Sequence, residues 1–270
     1  MSPLLAVTYD PDLIDPPARG LFEAVRWIED GVSPQRWLPS GVTVRQPNFS
    51  SGSQTEVWAE AWNVAADDVT TDKVLHRDDL GSDDFTGITV FAFDRDECPH
   101  RLMQQARREV HDRAGWLVRR YIQGLAEAHV ATALGTATTT TSVTADVVAA
   151  VAAAESALFS SLLNPDDAVL FAPPVLAAHL AKHRQIDDGR SPLGYRWVFS
   201  DGLGLVDGSG QPTILGTTQL FGWRGPLETR DHIDHQTNDY FAVAEQSLVI
   251  GWESSVVKVT ILNPPDPEEP

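Results

Sequence analysis

The chain has 270 residues, of which 42% are hydrophobic and 21% charged, a composition that is ordinary for globular proteins and allows one large core or two modest ones. Its formal net charge of -18 at pH 7 argues against tight nucleic-acid binding, which needs clustered cations to neutralise phosphates. Cys98 is the only cysteine, which excludes an internal disulfide framework and a thiolate zinc cluster, and no apolar run is long enough to span a bilayer.

Residues 1–40 are rich in proline and tryptophan and have too little apolar sequence for a core of their own. They predict an arm that lies against something else. One short amphipathic helix is predicted over roughly residues 19–30, because Leu21, Val25 and Ile28 share a helical face. The first residues carry no basic n-region, so secretion is not expected.

Residues 41–98 predict a long hairpin-like excursion. Strand-like runs, "GVTVRQPNF" with "TEVWAEAWNV" and then "FTGITVFAFD", flank about twenty polar and acidic residues. Unstructured loops of that length are uncommon inside compact domains, so the tip is expected to be mobile or braced by a partner.

Residues 99–134 predict one long helix, in which Pro99 suits the first turn and Gly135 the C-terminal stop. Its apolar face is predicted from residues that recur at alternating spacings of three and four: Met103, Ala106, Val110, Ala114, Leu117, Tyr121, Leu125 and Ala128. Six arginines lie along the same segment: Arg101, Arg107, Arg108, Arg113, Arg119 and Arg120. Two interpretations are open, a solvated face or ion pairs with acidic neighbours.

The second half of the chain predicts an α+β order. A Thr-rich run at 136–144 is typical of a polar linker between domains, and a helix follows that is capped by Thr144 with Asp146 in its first turn. "DAVLFAPP" predicts a short buried strand, "PVLAAHLAKHR" a helix, and four further apolar runs predict strands up to residue 262. The closing segment "NPPDPEEP" is expected to be unstructured.

The sequence offers few candidates for chemistry. His179 and His183 lie four apart on one helix face, but Leu180 stands where the metalloprotease motif has a glutamate. His232 and His235 lie three apart among three aspartates, in a stretch that predicts either a metal site or a polar turn leading into a strand. "GLGLVDG" at 202–208 favours a hairpin with a "DGSG" turn over a dinucleotide-binding loop.

Three stretches together are similar to one family. They are "DRDECPHRLMQQARREVHDRAGWLVRRYIQGLAEAHVATAL", "TADVVAAVAAAESALFSSLLNPDDAVLFAPPVLAAHLAKH" and "LFGWRGPLE" followed by "TNDYFAVAEQSLVIGWE". With the order of the preceding segments, they resemble the major capsid proteins of tailed phages of the Hong Kong 97 type, especially those of phages that infect actinobacteria. The resemblance implies an N-terminal arm (1–40), an extended loop (41–98), a peripheral domain with a spine helix (99–142 and 227–263), an axial domain (143–226) and an acidic tail (264–270).

The resemblance also implies a function. The chain would be a structural protein without catalytic activity or cofactor, assembling in the host cytoplasm into hexamers and pentamers of an icosahedral virion shell around double-stranded DNA. Its acidity would keep that DNA from adsorbing to the wall. Scaffolding, portal and decoration proteins would be separate partners, and no membrane is involved. Lys73 is the sole lysine of the loop, with no identifiable crosslinking partners, so a covalently crosslinked shell is not expected.

Candidate assembly contacts follow from this interpretation. Two tryptophans lie in an arm too short to bury them, the arginines suit anchors between subunits, and the histidines suit a contact that responds to pH. The set is Trp27, Trp37, Arg107, Arg108, Arg119, Arg120, His232 and His235. Two alternatives remain open. One is a shell protein of an encapsulin nanocompartment, a class whose fold is similar, and the other is a histidine-dependent metallohydrolase.

Overall fold

The computed structural model describes residues 12–28, 38–47, 82–97, 103–136, 138–144, 146–161, 163–234 and 239–262. The helices within these ranges are α1 (Leu21–Ala24), α2 (Met103–Thr136), α3 (Val147–Ser160) and α4 (Ala177–Lys182), with a 3-10 helix (Pro174–Leu176) before α4. The strands are β1 (Val25–Trp27), β2 (Val42–Arg45), β3 (Ser82–Phe85), β4 (Ile88–Glu97), β5 (Thr138–Thr144), β6 (Ala168–Ala172), β7 (Arg196–Phe199), β8 (Thr213–Thr218), β9 (Leu220–Arg224), β10 (Glu228–Asp234), β11 (Asp239–Trp252) and β12 (Ser255–Ile261).

Sheet 1 is organised around the long strand β11. Residues 239–245 pair antiparallel with β10 on one edge and β4 on the other, and residues 248–252 pair with β9, to which β1 adds in parallel. Tyr240, Ala242 and Ala244 are buried on the face that packs against α2, as the alternation in the sequence predicts. The strand predicted to follow the histidine stretch is confirmed, and it packs against the long helix.

Sheet 2 has the order β5-β12-β8-β6-β7. Only β8 runs antiparallel to its neighbours, so the other four strands point the same way and end at the same edge of the sheet. Strand β6 is buried at every position, with Leu170 in the cluster under α3 and Phe171 in the cluster shared with α2. Burial on both faces explains why its sequence is an uninterrupted apolar run, and the predicted buried strand is confirmed.

The buried side of α2 differs from the predicted one in its second half. Tyr121 and Leu125 are 57% and 51% exposed. Side chains that are buried instead recur every fourth residue: Val110, Ala114, Val118, Ile122, Ala126, Val130 and Leu134. A four-residue step turns about 40° beyond one helical turn, so the buried stripe winds around the helix, whereas alternating spacings of three and four would have kept the predicted face fixed.

Two further predictions of local structure are wrong. The Thr-rich run is a strand, β5, because its β-branched residues pair in parallel with β12. The cap of α3 is therefore Asp146, whose Oδ1 accepts a hydrogen bond from the Ala149 N–H at 2.9 Å. The helix expected over 19–30 stops after the four residues of α1, because Val25 and Trp27 pair with β9.

The excursion over 41–98 begins and ends as predicted strands. β2 and β3 form an antiparallel pair, and Phe85 and Val44 pack over Gly251 of β11. The run "TEVWAEAWNV" and Lys73 lie outside the described residues. The division into peripheral and axial domains stays a prediction, and sheet 2 combines strands of both predicted segments because β12 lies between β5 and β8.

Candidate assembly surface

Residues 12–20, called here the arm, lie along α2 of the same chain. Three side chains about one turn apart on the helix donate hydrogen bonds to it: Trp116 Nε1 to Ile14 O at 2.8 Å, Arg119 Nε to Asp15 Oδ1 at 2.7 Å and Gln123 Nε2 to Pro17 O at 2.9 Å. Two of the three acceptors are main-chain carbonyls, which suits a proline-rich segment that has few N–H donors of its own. Residues 12–20 thus lie on their own chain, whereas the contact of the N-terminal segment 1–40 with a neighbouring subunit stays a prediction.

Glu127 fastens the end of the arm to the helix. The residue is buried, with 4% of its surface exposed. Its carboxylate accepts hydrogen bonds from the Leu21 N–H at 2.8 Å and from the Gly202 N–H at 3.1 Å. A Cβ at Gly20 or Gly202 would overlap this carboxylate, and Gly20 also has a positive φ of 55°. One buried acid therefore joins α2, the arm and the loop after β7, and both glycines make room for it.

Arg107 joins the first half of α2 to sheet 1. Its guanidinium donates to Asp231 Oδ2 at 2.9 Å and lies 5.1 Å from the centre of the Tyr240 ring. Tyr240 donates its hydroxyl to the same Asp231 oxygen at 2.8 Å. The hydrogen bonds from Tyr240 and Arg107 lower the pKa of Asp231, while burial and the Asp231 carboxylate raise the pKa of Tyr240.

The interpretation of the helix arginines as ion-pair partners is confirmed for three of them. Arg107 pairs with Asp231, Arg119 with Asp15, and Arg113 Nε lies 3.8 Å from Asp94. Two others differ: Arg108 is exposed, and the guanidinium of Arg120 lies 5.4 Å from the centre of the Trp116 ring. Their role as contacts between subunits stays a prediction.

His232 lies in a strand and not in the predicted polar turn. His232 belongs to β10, lies opposite Phe241 of β11, and packs its ring edge-on at 5.4 Å between ring centres. His235 lies outside the described residues. Within the ranges that the structure describes, no group of three His, Cys, Asp or Glu side chains is placed to hold a metal ion, and His179 and His183 lie near the exposed end of α4.

Trp27 is covered in part by its own chain. Its ring centre lies 5.1 Å from that of Phe22 and 5.1 Å from the Arg224 guanidinium, and Gly222 leaves space for it. The predicted arm does not cover Trp27 by itself, and β9 of the same chain supplies the additional surface. Its contact with another subunit stays a prediction, and Trp37 lies outside the described residues.

Among the residues that the structure describes, only part of the outer face of sheet 1, which points away from α2, is covered. Phe91 and Phe93 of β4 are each 66% exposed, and Phe93 lies opposite the half-buried Val243. The β2–β3 pair covers only the far end of this face, over Gly251. Two exposed phenylalanines on one face of a strand are typical of a surface that a partner covers.

Comparisons with known proteins bear on this fold. No protein-family model and no curated protein matches the chain. Among solved structures, the capsid of an empty GTA particle computed with C5 symmetry matches with a TM-score of 0.59 and 11% identity, over 95% of this chain and 95% of that chain. A chain of Mycobacterium phage Che8 matches with a TM-score of 0.57 and 12% identity over 96% and 97% of the two chains, and the capsid of Ralstonia phage GP4 with 0.54 and 9% over 99% and 97%.

These likenesses extend over almost the whole length of both chains, so the chain has the fold found in these phage and GTA structures. The α+β fold class and the resemblance to the tailed-phage capsid fold are confirmed. At this level of sequence identity the likeness concerns the fold, and function is argued separately below. No helix in the described part of the chain is long and apolar enough to cross a membrane.

The residues that hold the arm were not predicted from the sequence. Trp116, Gln123 and Glu127 follow one another at spacings of seven and four, which is a helical stripe. The available signal was an acid, Glu127, that lies directly beside the apolar position Ala126 and not on the opposite face. No pattern within the arm itself indicates its partner, because the helix recognises mainly its backbone.

Proposed function

We propose that this protein is a structural shell protein that assembles into hexamers and pentamers of an icosahedral phage capsid enclosing double-stranded DNA. The observation that carries the proposal is the fold shared with capsid chains over at least 95% of this chain. The protein therefore acts through contacts between copies and not through catalysis, in the virion and, during assembly, in the host cytoplasm.

Two surface properties support the proposal. The outer face of sheet 1 leaves Phe91 and Phe93 exposed, as expected where a further subunit packs. The net charge of -18 suits the wall of a container for DNA, because an acidic lining repels phosphates and lets the genome slide. Scaffolding, portal and decoration proteins are expected as separate partners. Neither an enclosed enzyme cargo nor metal-dependent hydrolysis has a specific observation in its favour.

The test is to express the protein alone and with a candidate scaffolding protein, and to examine it by light scattering and negative-stain electron microscopy. Closed particles tens of nanometres across are expected, as against a monomer of 29.5 kDa. A stable monomer under both conditions contradicts the proposal. Particles recovered from phage-producing cells should contain DNA that survives nuclease treatment, and particles that instead hold a protein cargo contradict the DNA-enclosing role.

A further inference from the structure

A trough of about 500 Å³ runs beside the arm on the exposed side of α2. Its lining includes Pro16 and Pro17 of the arm and the exposed Tyr121 of α2. Gly124 also lines it, and a Cβ built there would meet nothing within 4 Å. The trough therefore offers an open surface that is partly apolar.

The charges in the trough are unevenly matched. Arg19 and Arg120 both line it, and neither forms an ion pair with a carboxylate of the described residues. Of the two aspartates that line the trough, Asp15 forms an ion pair with Arg119, and Asp201 is the other. Two cations beside an aromatic ring and two prolines favour a ligand that carries both carboxylates and apolar surface.

One segment of this chain has that chemistry. Residues 263–270 read "NPPDPEEP", with four prolines and three acids in eight residues. Proline-rich segments pre-form an extended helix and dock against aromatic surfaces at a low entropic cost. The acids at positions 266, 268 and 269 are interspersed with the prolines, so both kinds of group recur along the segment.

The fold places Ile261, two residues before this segment, at the edge of sheet 2 where β7 also ends. β12 and β7 run in the same direction in sheet 2, so Ile261 and Phe199 end at the same edge of the sheet. Asp201 and Gly202 follow β7 directly and line the trough. β12 and β7 are three strand spacings apart, about 14 Å, whereas eight residues in the polyproline conformation span about 25 Å.

We propose that residues 263–270 dock into the trough of their own chain, with their carboxylates on Arg19 and Arg120 and their prolines against Tyr121. The segment would then cover Gly124 and complete the surface that the arm begins. This inference does not depend on shell assembly, because the contact is formed within one chain.

Disulfide trapping tests the proposal on the full chain. In a Cys98→Ser background, Gly124→Cys is combined with Glu268→Cys, and the matched control combines Arg108→Cys with Glu268→Cys. Residue 108 is exposed on the same helix but lies 16 residues, about 24 Å, from residue 124. We expect an intrachain disulfide at position 124 to form about tenfold faster or more, because docking raises the effective concentration of the two thiols.

Charge reversal separates recognition from mere proximity. Adding Arg19→Glu and Arg120→Glu to the Gly124→Cys pair should slow trapping several-fold, whereas adding Arg108→Glu should not. Equal trapping rates at positions 108 and 124, or rates unaffected by reversal of Arg19 and Arg120, overturn the proposal. Disulfide-linked dimers in place of intrachain bonds identify a second copy as the occupant and also overturn it. The readout is made on unassembled protein by mass spectrometry, so a failure to form shells does not affect it.

Discussion

The two faces of sheet 1 are closed in different ways. On the helix side, Ala242 and Ala244 are buried under α2, and Glu127 and Arg107 fix that helix to the arm and to β10. On the outer side, the β2–β3 pair covers one end, and Phe91 and Phe93 are left exposed. The described part of the chain thus completes the helix side but not the outer side. Changes on the helix side should therefore lower the free energy of unfolding, and changes on the outer side should alter assembly.

The largest effect on unfolding is expected from Glu127→Ala. The substitution leaves the N–H groups of Leu21 and Gly202 without their acceptor at a buried site, which should cost about 2–4 kcal/mol of unfolding free energy. Urea denaturation followed by tryptophan fluorescence measures the change. Asp112→Ala is the matched control, because that carboxylate is exposed on the same helix and should change stability by less than about 0.5 kcal/mol. Equal effects of the two substitutions would show that the buried acid does not fasten the arm.

A smaller loss is expected from Gly202→Ala. Its new Cβ would overlap the Glu127 carboxylate, and the resulting displacement should cost about 1–3 kcal/mol. In a Glu127→Ala background the same change should cost less, because the overlapping carboxylate is gone and only the Cβ of residue 127, 2.7 Å from the new Cβ, remains. A double-mutant cycle of unfolding free energies checks this coupling. If the two effects simply add, the glycine is not present to accommodate the acid.

The contribution of the Arg107, Asp231 and Tyr240 contacts to the free energy of unfolding should depend on pH. The effect should be smaller than that of either substitution above, because Asp231 is partly exposed. Its lowered pKa means that its contribution to stability is present above the pKa of an unfolded aspartate and is lost as the pH falls through the folded value. Tyr240 has a raised pKa, so its contribution is lost at the alkaline end, as the pH rises through the folded value. The difference in urea midpoint between the wild type and Asp231→Asn should accordingly vanish in acid, and that for Tyr240→Phe should shrink in alkali. A pH-independent difference would contradict the role of the Arg107, Asp231 and Tyr240 contacts.

Much of the fold could be predicted from the sequence wherever a residue pattern has one structural solution. The apolar run of β6, the alternation of β11 and the length of α2 belong to this class. Predictions were wrong where a tertiary contact decided the outcome. β5 is a strand because β12 lies beside it, and β1 replaces the predicted helix because β9 provides a partner.

The candidate surface could be predicted in part. The helix arginines could be identified, but their partners Asp15, Asp94 and Asp231 lie 104, 19 and 124 positions away on other segments, and spacing does not reveal them. Phe91 and Phe93 lie in a run that was predicted as a strand, but their exposure could not be predicted. Alternation indicates that a strand has two faces but not which of them the chain covers.

The smallest effect on unfolding, and a large one on assembly, is expected from combining Phe91→Ser with Phe93→Ser. Both side chains are 66% exposed, so their loss should change the unfolding free energy by less than about 0.5 kcal/mol each. In a shell, burying two phenylalanines in each copy would contribute at every contact, so their removal should abolish or strongly reduce particle formation as seen by light scattering. Phe159→Ser is the matched control, because Phe159 is 69% exposed but lies on α3, beside sheet 2. If the serine pair assembles as the wild type does, the outer face of sheet 1 is not an assembly contact. If it unfolds like Glu127→Ala, the two faces of the sheet do not differ in the way their burial indicates.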